Sequence, residues 1–478
     1  MPLFSLPSEH FTGTMGKEAY DFIDYISGAG LKWWQLLPLV PPDETGSPYK
    51  SCSAFAGSIV YISPDLLDVY CFEKLKAVSP DPGSADYKAA EEICTQNLKK
   101  AFENFRPEKT DDFEFFCTEN AYWLEDYAVF ESARKLFNGK PWNEWDTAIR
   151  SREPKAMQEL KDQMSEEISF QKFCQFEFFR QWNMLHRYAH EKNIGLTGDI
   201  PIYVSYDSAD VWADPSLFLL DSEMMPKLTA GVPPDMFSEE GQLWGNPLYD
   251  WNEMEKRDFT WWRKRIKHNS GMYDMLRIDH FIGTVNYYAI PGSEKNAVNG
   301  RWLHGPGMPL IRAINESRGD TLIIAEDLGN KTEDVKKVLK ESGYPGMKLM
   351  EFAFDGDPEN ENLPHNFSRN CIVYGGTHDN ETLAGYFSHQ KKKTLNYARE
   401  YLNVRKQTDI PWGIIGSAFR STAPLAVFQM QDYLGLDNSS RINTPSTVND
   451  NWKYRFDNNE FTKEISDRIK KLVRISGR

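Results

Sequence analysis

The sequence predicts an α/β protein, a (β/α)8 TIM barrel that carries inserted, mostly helical segments. Short apolar runs, each ending in a polar and often acidic cluster, alternate with helical sequence along the chain. Runs this short and this apolar are typical of buried parallel strands. Neither of the glycine-rich phosphate-binding patterns, GxGxxG or GxxxxGK[ST], follows any of these runs. The barrel is therefore favoured over an open nucleotide-binding sheet, the other architecture that this alternation allows.

The predicted strands follow one another in chain order. They are the runs 31–38, 194–199, 275–279, 321–326, 347–352, 371–379 and 425–432. An amphipathic helix is expected over about 17–26, before the first run, and a longer helix over about 166–192, before the second. This order of helix and strand is the repeating unit of a barrel.

Two stretches interrupt the alternation. Residues from about 68 to 166 are polar, acidic and mostly helical in pattern, whereas residues from about 205 to 260 are loop-like and rich in Pro, Gly, Asp and Trp. No Gly/Ser-rich linker separates them from the rest. Residues 1–478 are therefore predicted to form one barrel, with a helical insertion at about 68–166 and a loop insertion at about 205–260.

Composition excludes several classes of protein. The 70 acidic residues outnumber the 55 basic ones, and the net charge of −15 is unfavourable for binding nucleic acid. No apolar stretch of about 18 residues predicts a membrane span, and the first residues lack the pattern of a secretory signal. The six cysteines are scattered, without a CxxC pair, and are expected to be reduced thiols. These features favour a cytoplasmic enzyme.

Four acidic side chains close predicted strands: Asp199, Asp279, Glu326 and Asp379. In a barrel all parallel strands end on one face, so these carboxylates are expected to converge there. Convergent carboxylates indicate chemistry at a glycosidic bond, where one acid attacks or stabilises the anomeric carbon and a second protonates the leaving oxygen. A single strand-end Asp is more often a turn or a helix cap, and only the group of four favours the catalytic interpretation.

Charged and polar neighbours accompany these acids. Arg277 lies two residues before Asp279 and hence on the same strand face. His280 and His378 flank the acids and can donate hydrogen bonds to sugar hydroxyls. A metal-dependent hydrolase remains an alternative, because the Asp-His and His-Asp pairs could ligate a metal. The sequence contains no HxH or HExxH pattern, and His186 and His190, at i and i+4 on a helix, are interpreted as surface or core residues.

Ordered motifs run along nearly the whole chain. They include SPY at 47–49, GDIPIY at 198–203, GVPPD at 231–235, GQLWGNPLYDW at 241–251, RIDHF at 277–281, AEDLG at 325–329, THDN at 377–380 and RIN at 441–443. In these motifs and their order the sequence resembles the 4-α-glucanotransferases known as amylomaltases or disproportionating enzymes, glycoside hydrolase family 77.

The resemblance implies a retaining, two-step mechanism on a barrel. By motif position Asp279 is expected to be the nucleophile, Glu326 the general acid/base, and Asp379 the carboxylate that holds sugar hydroxyls beside the anomeric carbon. Arg277 is expected to keep Asp279 ionised by its charge. Retention also implies that the carboxyls of Asp279 and Glu326 lie about 5–5.5 Å apart.

The same resemblance, together with residue chemistry, indicates the substrate contacts. Trp244 and Gln242 fit an acceptor-side loop, and Tyr49 fits a sugar platform. The full set of expected contacts is Arg277, His280, His378, Asp199, Asp235, Gln242, Trp244, Tyr49, Ser47, Asp327 and Asn443.

The implied reaction moves an α-1,4-glucan segment from a maltooligosaccharide or starch-like glucan to the 4-hydroxyl of an acceptor glucan or glucose. No cofactor and no metal are expected. An α-1,4-glucan hydrolase with the same acids and a non-catalytic glucan-binding protein remain alternatives. Transfer over hydrolysis requires an acceptor site that competes with water at about 55 M, and an aromatic acceptor loop can supply it.

Overall fold

The strands of the protein fall into two parallel groups and one antiparallel sheet. The computed structural model describes residues 1–75, 78–106, 111–234, 238–329, 331–447 and 449–478. Their strands are β1 (Trp33–Gln35), β2 (Gly195–Ile200), β3 (Leu228–Val232), β4 (Gln242–Pro247), β5 (Met275–Ile278), β6 (Asn286–Pro291), β7 (Arg301–His304), β8 (Leu322–Ala325), β9 (Gly346–Leu349), β10 (Cys371–Tyr374) and β11 (Leu425–Val427).

The parallel strands are arranged in the order expected of a barrel. One group runs β1-β2-β5-β8 and the other β9-β10-β11, so the strand order follows the chain order. The N–H of Ala325 in β8 donates to the carbonyl of Pro345, just before β9, at 3.0 Å, which joins the two groups. Pairing between β11 and β1 is not found among the strands of the described ranges.

An apolar cluster shows that these strands surround one interior. It contains side chains from β1, β5, β8, β9, β10 and β11. Its members are Met275, Ile324, Met347, Leu349, Ile372 and Tyr374, with Trp33, Leu328, Leu425 and Val427 packed against them. Because the first and last parallel strands contribute to the same cluster, the α/β barrel-type fold predicted from the sequence is confirmed.

Helices lie between the strands. They are α1 (Lys17–Gly28), α2 (Tyr87–Asn104), α3 (Asp111–Glu119), α4 (Ala121–Leu136), α5 (Thr147–Arg150), α6 (Pro154–Gln163), α7 (Ser165–Glu191), α8 (Ala209–Ala213), α9 (Trp251–Lys256), α10 (Thr260–Met272), α11 (Met308–Ser317), α12 (Glu333–Ser342), α13 (Leu383–Ser388), α14 (Lys392–Leu402), α15 (Ile410–Phe419), α16 (Met430–Leu434) and α17 (Lys463–Ser476). The predicted helices at 17–26 and 166–192 correspond to α1 and α7. Helices α2 to α6 lie within 68–166, where helical sequence was expected.

The prediction of a loop-like stretch at 205–260 is wrong in part. Strands β3 and β4 lie within it and form the antiparallel sheet β4-β3-β6-β7. The tight pairing requires a glycine: a Cβ on Gly231 would lie 2.1 Å from the carbonyl oxygen of Gln242. The sequence signal is weak because the partner strand β6 begins more than 50 residues after β3, and because Gly231 interrupts β3 while Gly245 and Pro247 interrupt β4.

None of the helices in the described ranges is both long and apolar enough to cross a lipid bilayer. All six cysteines are free in the structure.

Candidate active site

Two of the predicted catalytic acids extend neighbouring strands. Asp279 directly follows β5 and Glu326 directly follows β8, and these strands pair so that Ile278 lies opposite Ala325. The N–H of Glu326 donates to the carbonyl of Ile278 at 3.0 Å, so the ladder continues past the strand ends. The two acids therefore leave adjacent strands at the same level of the barrel, as the strand-end pattern predicted.

A buried arginine connects the nucleophile candidate to another acid. Arg277 lies opposite Asp199 in the β2–β5 ladder. Its Nη1 donates to both oxygens of Asp199, at 2.7 and 2.6 Å, and its Nη2 donates to Oδ1 of Asp279 at 2.7 Å. Arg277 is only 3% exposed and Asp199 4%. One guanidinium thus holds two carboxylates in fixed positions, using the planar donor geometry that lysine lacks.

Backbone donors orient Glu326. Its Oε2 accepts a hydrogen bond from the N–H of His280 at 2.7 Å, and its Oε1 accepts one from the N–H of Leu328 at 2.8 Å. His280 adopts a left-handed backbone conformation with φ of 51°. This turn directly after Asp279 directs the His280 N–H toward Glu326, so the residue that follows one acid binds the other.

The third acid lies on the segment after β10. Asp379 Oδ1 accepts a hydrogen bond from Nδ2 of Asn443 at 2.6 Å and lies 3.3 Å from Nε2 of His378. Arg441 donates to the main-chain carbonyl of Asp379 at 2.9 Å. The Asp379 side chain is 44% exposed, so its second oxygen is available to a ligand.

An aromatic group links this segment to the other acids. The hydroxyl of Tyr49 donates to Oδ2 of Asp199 at 2.6 Å. Its ring stacks on His378, with centroids 5.3 Å apart and planes 13° apart, and Trp452 packs against both rings at 5.7 Å. Through Tyr49 the structure brings Asp199, Arg277, Asp279 and Glu326 together with His378 and Asp379.

Burial sets the protonation of the central acids. It raises the pKa of Asp279 and of Glu326, while Arg277 opposes the shift at both. Arg277 therefore lowers the pKa of Asp279 as expected, but the effect of burial is larger. A quarter of the Asp279 side chain remains exposed. For Arg277 itself, burial disfavours the charge, yet Asp199 and Asp279 raise its pKa. The site consequently contains one permanent cation, Arg277, and two acids, Asp279 and Glu326, that titrate together.

The two histidines of the site are neutral. Burial lowers the pKa of His280 to about 4. Burial also lowers the pKa of His378, although Asp379 partly opposes this. Neutral imidazoles can exchange hydrogen bonds with hydroxyl groups without adding positive charge beside the acids.

Strand β4 brings two further predicted residues to the edge of the site. The ring of Trp244 meets the ring of His280 edge to face, with centroids 5.0 Å apart and planes 86° apart. Trp244 Nε1 donates to Oε1 of Gln242 at 3.1 Å, and the ring centroids of Trp244 and Tyr203 lie 6.2 Å apart. The indole is only partly buried, so it offers a ring surface beside the residue that follows Asp279.

Two predicted contacts are not brought into this group, and a third lies outside the described residues. Both carboxylate oxygens of Asp327 are engaged elsewhere, with the N–H of Met347 at 2.7 Å and with Lys331 at 3.0 Å. Its side chain points to the opposite strand face from Glu326, as alternation requires, so its assignment as a sugar contact stays a prediction that these contacts do not favour. The Ser47 hydroxyl accepts from the N–H of Tyr49 at 3.4 Å and shapes that turn. Asp235 lies outside the described residues.

Sequence reasoning missed several residues of the site. Arg441 is visible in the sequence only as part of the RIN motif, and Trp452 was not predicted, because the roles of both depend on contacts between distant segments. Glu351 and Asp432 are buried beneath the segment that carries Asp379. Each has an oxygen without a hydrogen-bond partner, and burial raises their pKa values to about 8 and about 7. A strand-end acid in the Met-Glu-Phe sequence after β9 was a usable signal for Glu351.

The metal alternative is not supported at the acids, because Arg277 occupies the position between Asp199 and Asp279 that a cation would take. In the part of the chain that the structure describes, His186, His190 and Asp274 are the side chains grouped closely enough to hold a metal ion. The structure thus adds Asp274 to the two histidines that share one helix face, and their interpretation as surface or core residues stays a prediction.

Known proteins share this architecture over the full chain. The 4-alpha-glucanotransferase of Clostridium butyricum is 42% identical over 489 aligned positions that cover 100% of both chains. That of Thermus thermophilus is 39% identical and covers 99% of this chain and 97% of its own. The solved structure of an amylomaltase from Streptococcus agalactiae in complex with acarbose has a TM-score of 0.96 and 38% identity, and covers 100% of this chain and 98% of its own. A family model described as 4-alpha-glucanotransferase, glycoside hydrolase family 77, matches residues 1–460. The chain belongs to this family.

Proposed function

We propose that the protein is a retaining 4-alpha-glucanotransferase whose glycosyl-enzyme intermediate forms on Asp279. Its substrates are maltooligosaccharides and other α-1,4-glucans, with a glucan or glucose as acceptor. One observation carries the assignment of these residues. Arg277 donates to Asp279, and the backbone N–H of His280, the residue after Asp279, donates to Glu326. Family membership and full-length relatives named as 4-alpha-glucanotransferases support the reaction.

In the first step Glu326 donates its proton to the glycosidic oxygen, the bond between this oxygen and C1 breaks, and Asp279 forms an ester with C1. Because the two acids titrate as a pair, they share one proton over a range of pH. We assign this proton to Glu326, since Asp279 is the acid that accepts directly from a permanent cation. Burial raises the pKa of Glu326 despite its two backbone donors, which suits a general acid.

In the second step the 4-hydroxyl of an acceptor sugar attacks C1. Its proton moves to Glu326, which is then in the carboxylate form, and the ester bond to Asp279 breaks. The enzyme returns to its starting protonation state, and the number of glycosidic bonds is unchanged. The exposed oxygen of Asp379 and the neutral His378 and His280 are positioned to bind hydroxyls of the sugar whose C1 reacts.

Hydrolysis by the same acids differs only in the acceptor, which is water. The partly exposed ring of Trp244 beside His280 favours transfer, because an aromatic face binds the apolar face of a glucose and displaces water. Products from maltotriose separate the two reactions. Transfer yields free glucose and a ladder of longer glucans with constant reducing ends, whereas hydrolysis increases the reducing ends steadily.

Substitution of the two acids tests the proposal directly. Asp279→Asn and Glu326→Gln should each lower turnover of maltotriose by about 10³-fold or more, with an unchanged unfolding transition. Asp327→Asn is the matched control: its carboxylate lies one residue from Glu326 but is directed away from the site. It should retain turnover within about tenfold. Near-full activity of Asp279→Asn would contradict the nucleophile assignment.

We further infer one catalytic barrel with insertions at about 68–166 and 205–260, which the helices α2 to α6 and the sheet formed with β3 and β4 support. A cytoplasmic location is also proposed, supported by six cysteines that are all free.

A further inference from the structure

Two histidines and an aspartate meet at the end of the barrel opposite to the catalytic acids. His186 and His190 lie in the last turns of α7, and Asp274 directly precedes β5. His190 Nε2 lies 2.8 Å from Oδ1 of Asp274, and His186 Nε2 lies 3.4 Å from Oδ2. The two imidazole rings have centroids 4.3 Å apart. One nitrogen or oxygen from each of the three side chains lies within 4.8 Å of the others.

Secondary structure and backbone contacts hold this cluster in place. Residues at i and i+4 share one face of a helix, so both histidines project in the same direction. The carboxylate of Asp274 is held by the N–H of Leu196, which donates to its Oδ2 at 2.8 Å. Its main chain bonds to both neighbouring strands, through Leu196 and Leu322, each at 3.0 Å. The ligand atoms are therefore provided by rigid elements rather than by loops.

The donor atoms of the cluster suit a zinc-type cation. A carboxylate together with two imidazole nitrogens is a donor set of the kind found in zinc sites. Zinc binds such ligands at about 2.0–2.2 Å, which places tetrahedral ligand atoms about 3.4 Å apart. The His186-to-Asp274 distance of 3.4 Å matches this value, whereas the His190-to-Asp274 distance of 2.8 Å is shorter and would lengthen on cation binding.

We propose that His186, His190 and Asp274 form a binding site for a divalent zinc-type cation that fastens the end of α7 to the start of β5. Three protein ligands leave a fourth position free, and His186 and Asp274 line an open cavity of about 1050 Å³ that admits water or another small ligand to it. At about 3.3 Å per strand residue, the five residues from Asp274 to Asp279 separate this site from the catalytic acids by about 16 Å. The cation is thus expected to stabilise the fold without entering the reaction.

Titration of the chelator-treated full-length protein with Zn²⁺ tests the proposal. Isothermal titration calorimetry should show one site on the wild type, and Co²⁺ should give the visible absorption of a cobalt–histidine complex. His190→Ala removes the more exposed ligand, whose side chain is 52% exposed, and should weaken binding at least about tenfold, the scale on which even indirect changes to such sites act. Asp274→Asn should do the same.

His389→Ala is the matched control, because His389 contacts one carboxylate, Glu381 at 2.9 Å, but lacks a second histidine. It should leave zinc affinity unchanged. Zinc should raise the melting temperature of the wild type and of His389→Ala but not that of His190→Ala, and chelation should leave glucan transfer intact. Zinc binding that is absent from the wild type, or equally strong in His190→Ala, would overturn the proposal, since either result leaves only an imidazole–carboxylate hydrogen-bond cluster.

Discussion

Removal of the shared guanidinium by Arg277→Met should disable the enzyme by changing the charge of its nucleophile. Arg277 donates to Asp279 and Asp199 with nitrogen–oxygen distances of 2.6–2.7 Å, so the centres of opposite charge are about 4 Å apart. At an effective dielectric constant of about 20, this separation corresponds to about 4 kcal/mol for the pair with Asp279. A loss of this size raises the pKa of Asp279 further, because the charge that favours its ionised form is gone.

The expected consequence is a shift of the pH profile as well as a loss of rate. Because only ionised Asp279 attacks C1, the acidic limb of kcat/KM against pH should move toward higher pH, and kcat/KM at neutral pH should fall by about 10²–10³-fold. The assay is release of glucose from maltotriose between pH 4 and pH 9. Arg277→Lys keeps the positive charge, but its ammonium group cannot donate to both carboxylates from one planar group. Its kcat/KM should therefore lie between those of the wild type and Arg277→Met.

Stability must be measured alongside activity, since breaking a buried ion pair costs about 3–5 kcal/mol. Urea unfolding of Arg277→Met should show this loss, and the double variant Arg277→Met/Asp199→Asn should recover part of it because one unpaired buried charge is removed. The electrostatic reasoning is refuted if folded Arg277→Met keeps kcat/KM within tenfold of the wild type with an unshifted acidic limb.

Three further predictions follow from single contacts. Tyr49→Phe removes the hydroxyl that donates to Asp199 at 2.6 Å, and urea unfolding should show a loss of about 1.5–3 kcal/mol, the range for hydrogen bonds to charged groups; an unchanged midpoint would contradict this. Trp244→Ala removes the ring beside His280, and reducing-end release relative to transfer should rise severalfold, whereas a constant ratio would exclude a role in acceptor binding. Burial, then the nearby charges of other acids, raises the pKa of Glu351 from 4.5 to about 8. The free energy of unfolding of the wild type should therefore fall as pH rises from about 4.5 to about 8, by up to about 5 kcal/mol from this group. Urea unfolding at pH 5 and pH 8.5 should show a smaller fall for Glu351→Gln, and an equal fall in both proteins would argue against a neutral buried acid.

Local sequence was sufficient to locate the parallel strands and the acids that end them. Strand β5 illustrates the reason, because side chains alternate in direction along a strand and Arg277 and Asp279 must therefore share a face. Since all strands of a barrel end on one side, Glu326 and Asp379 could be expected to join them. The motifs of the family then supplied the roles of these acids, which periodicity alone did not.

Tertiary structure decided how these residues are connected. The sequence presents Glu326 and Asp327 as neighbouring acids of the same type. Only packing shows that Glu326 accepts from the N–H of His280 whereas Asp327 accepts from the N–H of Met347. Likewise β3 and β4 form a sheet only because a distant strand pairs with them, and the i, i+4 pair of α7 forms a candidate ligand set only because Asp274 lies against it. Chemical character and side-chain alternation are local properties that a sequence displays directly. Contacts, burial and the pKa shifts that follow from them depend on residues far apart in the chain, so they exist only once the barrel has folded.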